Sequence, residues 1–261
     1  MKRVRVLSLL AAFALWGASS VQASTIFLAG TDAASFHRDA DFVDPVFKQL
    51  QDGSSKNVLV VNNFGAGAGF YATSVGITYV SAAGFAAATL SDYSAVFFAS
   101  PGTCCSDPAA LLGARGGDVA AYVAGGGGLY VEDYQGLAAW DPILGIAPGS
   151  GASSVTAGAP FATCIDPGVS TAAGIAFGFK PSYTEGCFVH QMYDPTFWAS
   201  KGFFALQVSG AAGSGGHVGD FVTMASGFIE PGKVPEPASL LLLGSGIAGL
   251  VARRRRQKKN A

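Results

Sequence analysis

Short apolar runs in the middle of this chain constrain its fold more than any other feature. They are NVLVVN at 57–62, VGITYV at 75–80, SAVFFAS at 94–100 and LYVE at 129–132, and a shorter one lies at 24–29. Runs that are apolar at nearly every position, rather than at every second one, are typical of strands buried on both faces of a parallel sheet. We therefore predict that this part of the chain forms the centre of such a sheet.

Helical segments alternate with these runs. Residues 41–51 space their apolar side chains at helical intervals. A second helix is predicted to begin at Asp107-Pro108, where an N-cap precedes a proline at the first helical position, and to end at the glycines 125–128. Alternating strands and helices predict an α/β fold, with a doubly wound, mostly parallel, flavodoxin-like sheet.

Beyond residue 150 the pattern is weaker. Residues 188–191 and 203–208 are predicted to be strands, with a place at the edge of the sheet. Residues 193–200 are predicted to form a short helix between them.

The first 23 residues have the three parts of a secretory signal peptide. Lys2, Arg3 and Arg5 form a positive start, residues 6–16 are apolar, and Val21-Gln22-Ala23 offers small residues for cleavage. An apolar stretch of this length is too short to cross a bilayer as a helix. We expect export and a mature chain that begins at Ser24.

The C-terminal end also contains an apolar run and a basic cluster, but here the basic residues follow the apolar run. Pro235-Glu236-Pro237 precedes an uncharged run at 238–252. A helix needs about 20 apolar residues to cross a bilayer comfortably, so this run predicts a short, weak transmembrane helix. The basic residues after it favour a cytoplasmic end by the positive-inside rule: Arg253, Arg254, Arg255, Arg256, Lys258 and Lys259.

This order of triplet, short helix and arginine cluster resembles the PEP-CTERM sorting signal of Gram-negative bacteria, here over 235–259. The resemblance implies export by the Sec machinery, an inner-membrane intermediate, and recognition and removal of the tail by the membrane protease exosortase. It also implies a final place at the cell surface or in the extracellular matrix, often beside exopolysaccharide. An ordinary single-pass tail anchor is the alternative.

Between these signals we expect one α/β domain at 24–227 and a Pro/Gly linker at 228–234. The span 24–234 holds seven basic residues against sixteen acidic ones, a formal charge of −9. Such an acidic surface repels phosphate backbones and argues against nucleic-acid binding. No calcium-loop motif is present, and FGAGAG at 64–69 lacks the spacing of a phosphate loop, so no metal and no cofactor is predicted.

Four cysteines suit an exported protein. In an oxidising compartment they allow two disulfides with three possible connectivities. We favour Cys164–Cys187, which closes a loop rich in Pro, Gly and Ser. Cys104 and Cys105 would then form a disulfide between neighbours or stay free.

The order SAVFFASPGTCC, then VAAYVAGGGGLYVEDYQG, resembles the class I glutamine amidotransferase-like fold and its ThuA-like relatives, over about 24–140. The resemblance implies that Pro101-Gly102 lies in the loop that supplies an oxyanion amide. It also places Tyr134, or Asp133 after a one-residue slip, where those enzymes have their nucleophilic cysteine, two positions before Gly136. Since neither is a thiol, the thiolate mechanism of that family is not expected.

Chemistry could still come from His190. It could act as a base oriented by Glu132 or Asp133, or it could be a hydrogen-bonded residue packed beside a disulfide at Cys187. The loops at the carboxyl ends of the predicted strands supply further ligand candidates, namely Asp32, His37, Gly102 and Tyr134.

Several aromatic residues permit a sugar-stacking interpretation, although a chain with nineteen phenylalanines uses most of its rings in the core. They are Phe36, Phe64, Tyr71, Tyr134, Trp140, Tyr193 and Trp198. Two functions follow from the sequence. The first is non-catalytic glycan or protein binding at the cell surface or in the matrix. The second is a hydrolase-like enzyme that uses His190 with Glu132 or Asp133.

Overall fold

The computed structural model describes eleven stretches of the chain. They are 24–37, 39–51, 53–62, 74–99, 108–132, 138–140, 142–144, 167–184, 186, 188–210 and 219–226. The contacts divide the chain into two units, 1–227 and 228–261, and all described residues lie in the first. Several predictions fall outside the described residues: the signal peptide, the linker, the tail, all four cysteines, Gly102, Asp133 and Tyr134.

Five parallel strands form one half of a nine-stranded sheet, in the order β3-β2-β4-β5-β1. Three of them, β2, β4 and β5, are buried at every position, which explains why their sequences are apolar at every position except Glu132, at the end of β5. These strands confirm the α/β class. Their bounds are Ile26–Ala29 (β1), Val58–Val61 (β2), Ile77–Val80 (β3), Ala95–Phe98 (β4) and Gly128–Glu132 (β5).

The other half of the sheet is antiparallel and continues from β1 in the order β9-β8-β6-β7. The sheet is therefore mixed, and the predicted parallel arrangement describes only its first half. The predicted strand at 203–208 is confirmed as β8, whereas β9 was not predicted, and the register between these two strands is irregular. Their bounds are Gly168–Ser170 (β6), Ser182–Tyr183 (β7), Phe203–Ser209 (β8) and Phe221–Ser226 (β9).

Six α-helices lie among the described residues: Ala40–Gln51 (α1), Ala82–Ala87 (α2), Ala109–Leu112 (α3), Gly116–Ala124 (α4), Ala172–Phe177 (α5) and Pro195–Ser200 (α6). The second predicted helix is in fact two, α3 and α4, joined by a 3-10 turn that begins at Gly113. Gly113 has φ +54°, a conformation that ends an α-helix and favours glycine. The predicted helix at 193–200 is confirmed as α6.

The predicted strand at 188–191 is wrong. This segment forms no strand and makes only an isolated antiparallel bridge, between Val189 and Thr31. No helix in the described ranges has the length and apolar character needed to cross a membrane.

Candidate functional site

The candidate site lies where β1 and β5 end side by side. The two strands pair in register, so that Ala29 at the end of β1 faces Glu132 at the end of β5. The carboxyl ends of parallel strands are where open α/β sheets bind their ligands. The chain then continues from β1 through Gly30 and Thr31 into a turn that begins at Asp32.

A second segment crosses the end of β1 and is fastened to it by the backbone. The N–H groups of His190 and Gln191 both donate to the carbonyl of Gly30, at 2.7 and 3.0 Å. Glycine is required there, because a Cβ at this position would lie 2.1 Å from the Gln191 carbonyl oxygen. This close approach brings the His190 side chain beside the turn after β1.

Two histidines meet one carboxylate at this point. His37 Nε2 lies 3.0 Å from Asp32 Oδ1, and His190 Nε2 lies 3.1 Å from Asp32 Oδ2. The turn itself positions His37, whose backbone N–H donates to the Asp32 carbonyl at 3.1 Å. We call these three residues the Asp–His cluster.

The Asp–His cluster is buried. Asp32 is fully buried, His190 is 2% exposed, and the His37 side chain is 8% exposed. Burial by itself raises the pKa of Asp32, but hydrogen bonds and charge from His190 and His37 outweigh it and leave that pKa below its ordinary value. The cluster therefore holds an ionised carboxylate between two imidazoles.

Glu132 is a second buried carboxyl next to the cluster. Its Oε1 accepts hydrogen bonds from the backbone N–H of Ala34 at 2.7 Å and of Ser35 at 3.3 Å, and from the Tyr130 hydroxyl at 3.3 Å. Burial raises the pKa of Glu132 to about 7; the charge of Asp32 adds to the rise, while hydrogen bonds from Ser35 and Ala34 oppose it. Glu132 can thus gain or lose a proton near neutral pH.

The sequence predicts Asp32, His37, His190 and Glu132 as candidates, but it pairs them differently from the structure. Asp32 and His37 were predicted as ligand candidates on one loop, and the structure places them together. His190 was expected to pair with Glu132 or Asp133, whereas its described carboxylate partner is Asp32. Loops that leave parallel strands were a usable signal for Asp32 and His37. No sequence signal located the segment that brings His190 to them.

A cleft that the structure describes lies away from the candidate residues. This cleft, of about 450 Å³, lies at the amino ends of the parallel strands, near Thr25, Lys56, Ser94, Tyr122 and Gly128. None of the candidate residues lines it. The described carboxylate partner of His190 is Asp32, and both side chains are buried.

Three of the aromatic candidates for sugar stacking belong to the core. Trp140, Tyr193 and Trp198 are completely buried, which overturns the stacking interpretation for these rings. Phe36 is different, because it is 59% exposed and packs edge-on against His37 with ring centroids 5.4 Å apart. The other rings named for stacking, Phe64, Tyr71 and Tyr134, lie outside the described residues.

Comparison with known proteins identifies the C-terminal end. Residues 233–256 match the PEP-CTERM protein-sorting motif. No curated protein and no solved structure matches the chain, so the resemblance to amidotransferases gains no support from them. The sorting motif supports an exported protein that is processed by exosortase and reaches the cell surface or the extracellular space.

Proposed function

We propose that this protein acts at the cell surface or in the extracellular matrix by binding glycan or protein, without catalysis. The observation that carries the proposal is the PEP-CTERM motif at 233–256. On this account the Sec machinery exports the chain, the C-terminal helix holds it briefly in the inner membrane, and exosortase then removes the tail.

The burial of the reactive side chains favours binding over catalysis. Asp32, His190 and Glu132 are at most 2% exposed. Enzyme sites are normally concave and accessible to substrate. A domain with its titratable groups enclosed is better suited to present a surface than to turn over a substrate.

Phe36 is the described residue best placed to contact a partner. It is one of two exposed large hydrophobic residues in the described ranges, the other being Ile175 at 46%. A flat, exposed ring beside an acidic and histidine-containing turn is suited to packing against a sugar ring. Exopolysaccharide is accordingly the first partner to test.

Co-sedimentation of the protein with exopolysaccharide from its host tests this proposal. We expect the wild-type protein to sediment with the polysaccharide, and Phe36→Ala to weaken that association several-fold. Ile175→Ala is the matched control, because it removes the other exposed hydrophobic side chain, and it should bind as wild type does. Equal binding by the two variants would show that Phe36 does not contribute to polysaccharide binding. Failure of the wild-type protein to bind either polysaccharide or surface proteins would refute the proposal.

A hydrolase-like enzyme is the second candidate. One observation favours it: a carboxyl whose pKa is raised to about 7 lies next to a histidine–carboxylate pair, as general acid–base chemistry requires. Hydrolysis of surface glycans or esters by the wild-type protein, with loss in Glu132→Gln, would support it. Absence of turnover across such a panel would favour the binding function.

A further inference from the structure

We propose that Asp32, His37 and His190 form a binding site for one divalent transition-metal ion. One potential ligand atom from each residue lies within 4.8 Å of the others. The three residues come from two separate segments, the turn after β1 and the segment that crosses it. This site is independent of the surface function proposed above.

The spacing of the atoms is close to what one ion needs. Imidazole nitrogen and carboxylate oxygen bind zinc at about 2.0–2.2 Å, so two ligands of one ion are at most ~4.4 Å apart. Ligands at right angles around the ion would be ~3.0 Å apart on the same bond lengths. The two Nε2-to-carboxylate distances are 3.0 and 3.1 Å. Side-chain adjustments of less than about 1 Å would therefore bring all three onto one ion.

The chemistry of the ligands selects the class of metal. Imidazole is a ligand for zinc, copper, iron and nickel, whereas calcium and magnesium prefer oxygen alone. Two histidines and one carboxylate are a known combination for such ions and leave coordination positions open for water. Glu132 is not counted as a ligand, because the ligand atoms that lie within 4.8 Å of one another belong to Asp32, His37 and His190.

The ligands are held in place before any ion arrives. The backbone of His190 is hydrogen-bonded to Gly30, and that of His37 to Asp32. The His37 ring also packs against Phe36 and Phe188, with centroids 5.4 and 5.6 Å away. Supporting contacts of this kind orient metal ligands and raise the affinity of a site.

Burial gives the ion a physical reason to bind. A fully buried carboxylate is costly unless a positive charge compensates it. The Nε2 atoms of His37 and His190 lie 3.0 and 3.1 Å from the two oxygens of this carboxylate, so that all three groups face one another. A divalent cation bound among them would supply the positive charge that offsets the buried carboxylate.

Metal titration of the full-length chain tests the proposal. The protein is purified in mild detergent, stripped with a chelator, and titrated with Co²⁺ by visible absorption and with Zn²⁺ by calorimetry. We expect one ion per chain and a rise in the unfolding temperature. If the folded protein shows no saturable binding of either Co²⁺ or Zn²⁺, the proposal is overturned.

Variants separate this site from adventitious binding. His37→Gln is preferred because His37 is the least buried of the three ligands, and we expect it to weaken binding by at least tenfold. Asp32→Asn should do the same. His217→Ala and Asp118→Asn are the matched controls for a histidine and for an exposed carboxylate, and they should bind as wild type does. Unchanged affinity in a folded His37→Gln protein would contradict the site.

X-ray absorption of the zinc-loaded wild-type protein needs no variant and therefore covers the case in which a variant fails to fold. We expect two imidazoles among the nitrogen and oxygen ligands. Fewer than two imidazoles, or ligation by cysteine sulfur, would assign the ion elsewhere and overturn the proposal.

Discussion

Glu132 is the residue at which burial and ionisation oppose each other most directly. Its carboxyl is completely buried at the end of β5, and the neighbouring charge of Asp32 adds to the cost of ionising it. Its pKa is raised from the ordinary value of 4.5 to about 7. A carboxyl whose pKa is higher in the folded state binds more protons there than in the unfolded chain, so it stabilises the fold at low pH and loses this contribution as the pH rises.

This imbalance predicts a pH-dependent stability. Below 4.5 both states are protonated, and between 4.5 and about 7 the contribution of Glu132 to the free energy of unfolding falls. Glu132→Gln keeps an oxygen that accepts from Ala34 and Ser35 but cannot ionise. In chelator, we expect it to exceed wild type in stability by roughly 1–3 kcal/mol near pH 8 and to differ less near pH 5.

Chemical denaturation at the two pH values measures this difference. Asp118→Asn, which removes an exposed carboxylate, should keep the pH slope of wild type. The same slope in Glu132→Gln as in wild type would show that Glu132 does not titrate in this range.

Gly30 makes the candidate site sterically possible. A Cβ at this position would lie 2.1 Å from the Gln191 carbonyl oxygen, and neither backbone can move without breaking the hydrogen bonds between them. We expect Gly30→Ala to lower the free energy of unfolding by about 1–3 kcal/mol or more, and to weaken metal binding with it.

Gly117→Ala is the matched control for this substitution. Gly117 lies in α4 with open space around it, so alanine there should be neutral or stabilise by about 0.5–1 kcal/mol. Thermal unfolding of the two variants decides the question. If Gly30→Ala and Gly117→Ala were equally stable, this would argue against a close approach between Gly30 and the backbone of Gln191.

Among the helices, α6 depends on its first residues. The Asp194 carboxylate accepts a hydrogen bond from the Phe197 N–H at 2.6 Å, and a proline follows at the first helical position. The helix anchors Trp198 against Phe203 of β8, with ring centroids 5.0 Å apart. Asp194→Ala should cost about 1 kcal/mol, because the cap is lost.

Asp194→Ser keeps an oxygen that can accept the same bond, and it should restore most of the stability. Denaturant unfolding of the three proteins provides the measurement. An alanine variant as stable as wild type would mean that the cap does not hold the helix.

The elements that could be predicted are those whose pattern is local. β2, β4 and β5 are apolar at almost every position, and α1 carries buried side chains on one face only. β6 and β7 have three and two residues, too few to show any period. The segment at 188–191 has the composition of a strand, but its backbone is used to cross the end of β1.

Within the candidate site, too, only some of the residues could be placed from a local sequence pattern. Asp32 and His37 follow a predicted strand by a few residues, so the sequence could place them on one loop. His190 reaches them only because residues far along the chain fold back over Gly30, and this register depends on tertiary contacts that no local pattern encodes. The described carboxylate partner of His190 is Asp32, whereas the sequence suggests Glu132 or Asp133, and Asp133 lies outside the described residues.

At the scale of the whole molecule, the two halves of the sheet meet at β1, which pairs with β5 on one side and β9 on the other. Asp32 and His37 follow a strand of the parallel half. His190 comes from the segment that leads through α6 into β8 of the antiparallel half. The Asp–His cluster thus forms only when both halves have folded.

The destination of the molecule rests on its C-terminal end, where residues 233–256 match the PEP-CTERM sorting motif. If exosortase processes this end, the mature protein lacks both the signal peptide and the block Arg253–Arg256. Replacing Pro235, Glu236 and Pro237 by alanine should prevent this step and leave the tail attached.

Intact mass spectrometry of the protein recovered from the cell surface of its host tests this claim most directly. We expect a wild-type chain that begins near Ser24 and has lost the arginine block, and an unprocessed chain in the triplet variant. A surface form of the wild-type protein that still carries Arg253–Arg256 would contradict it.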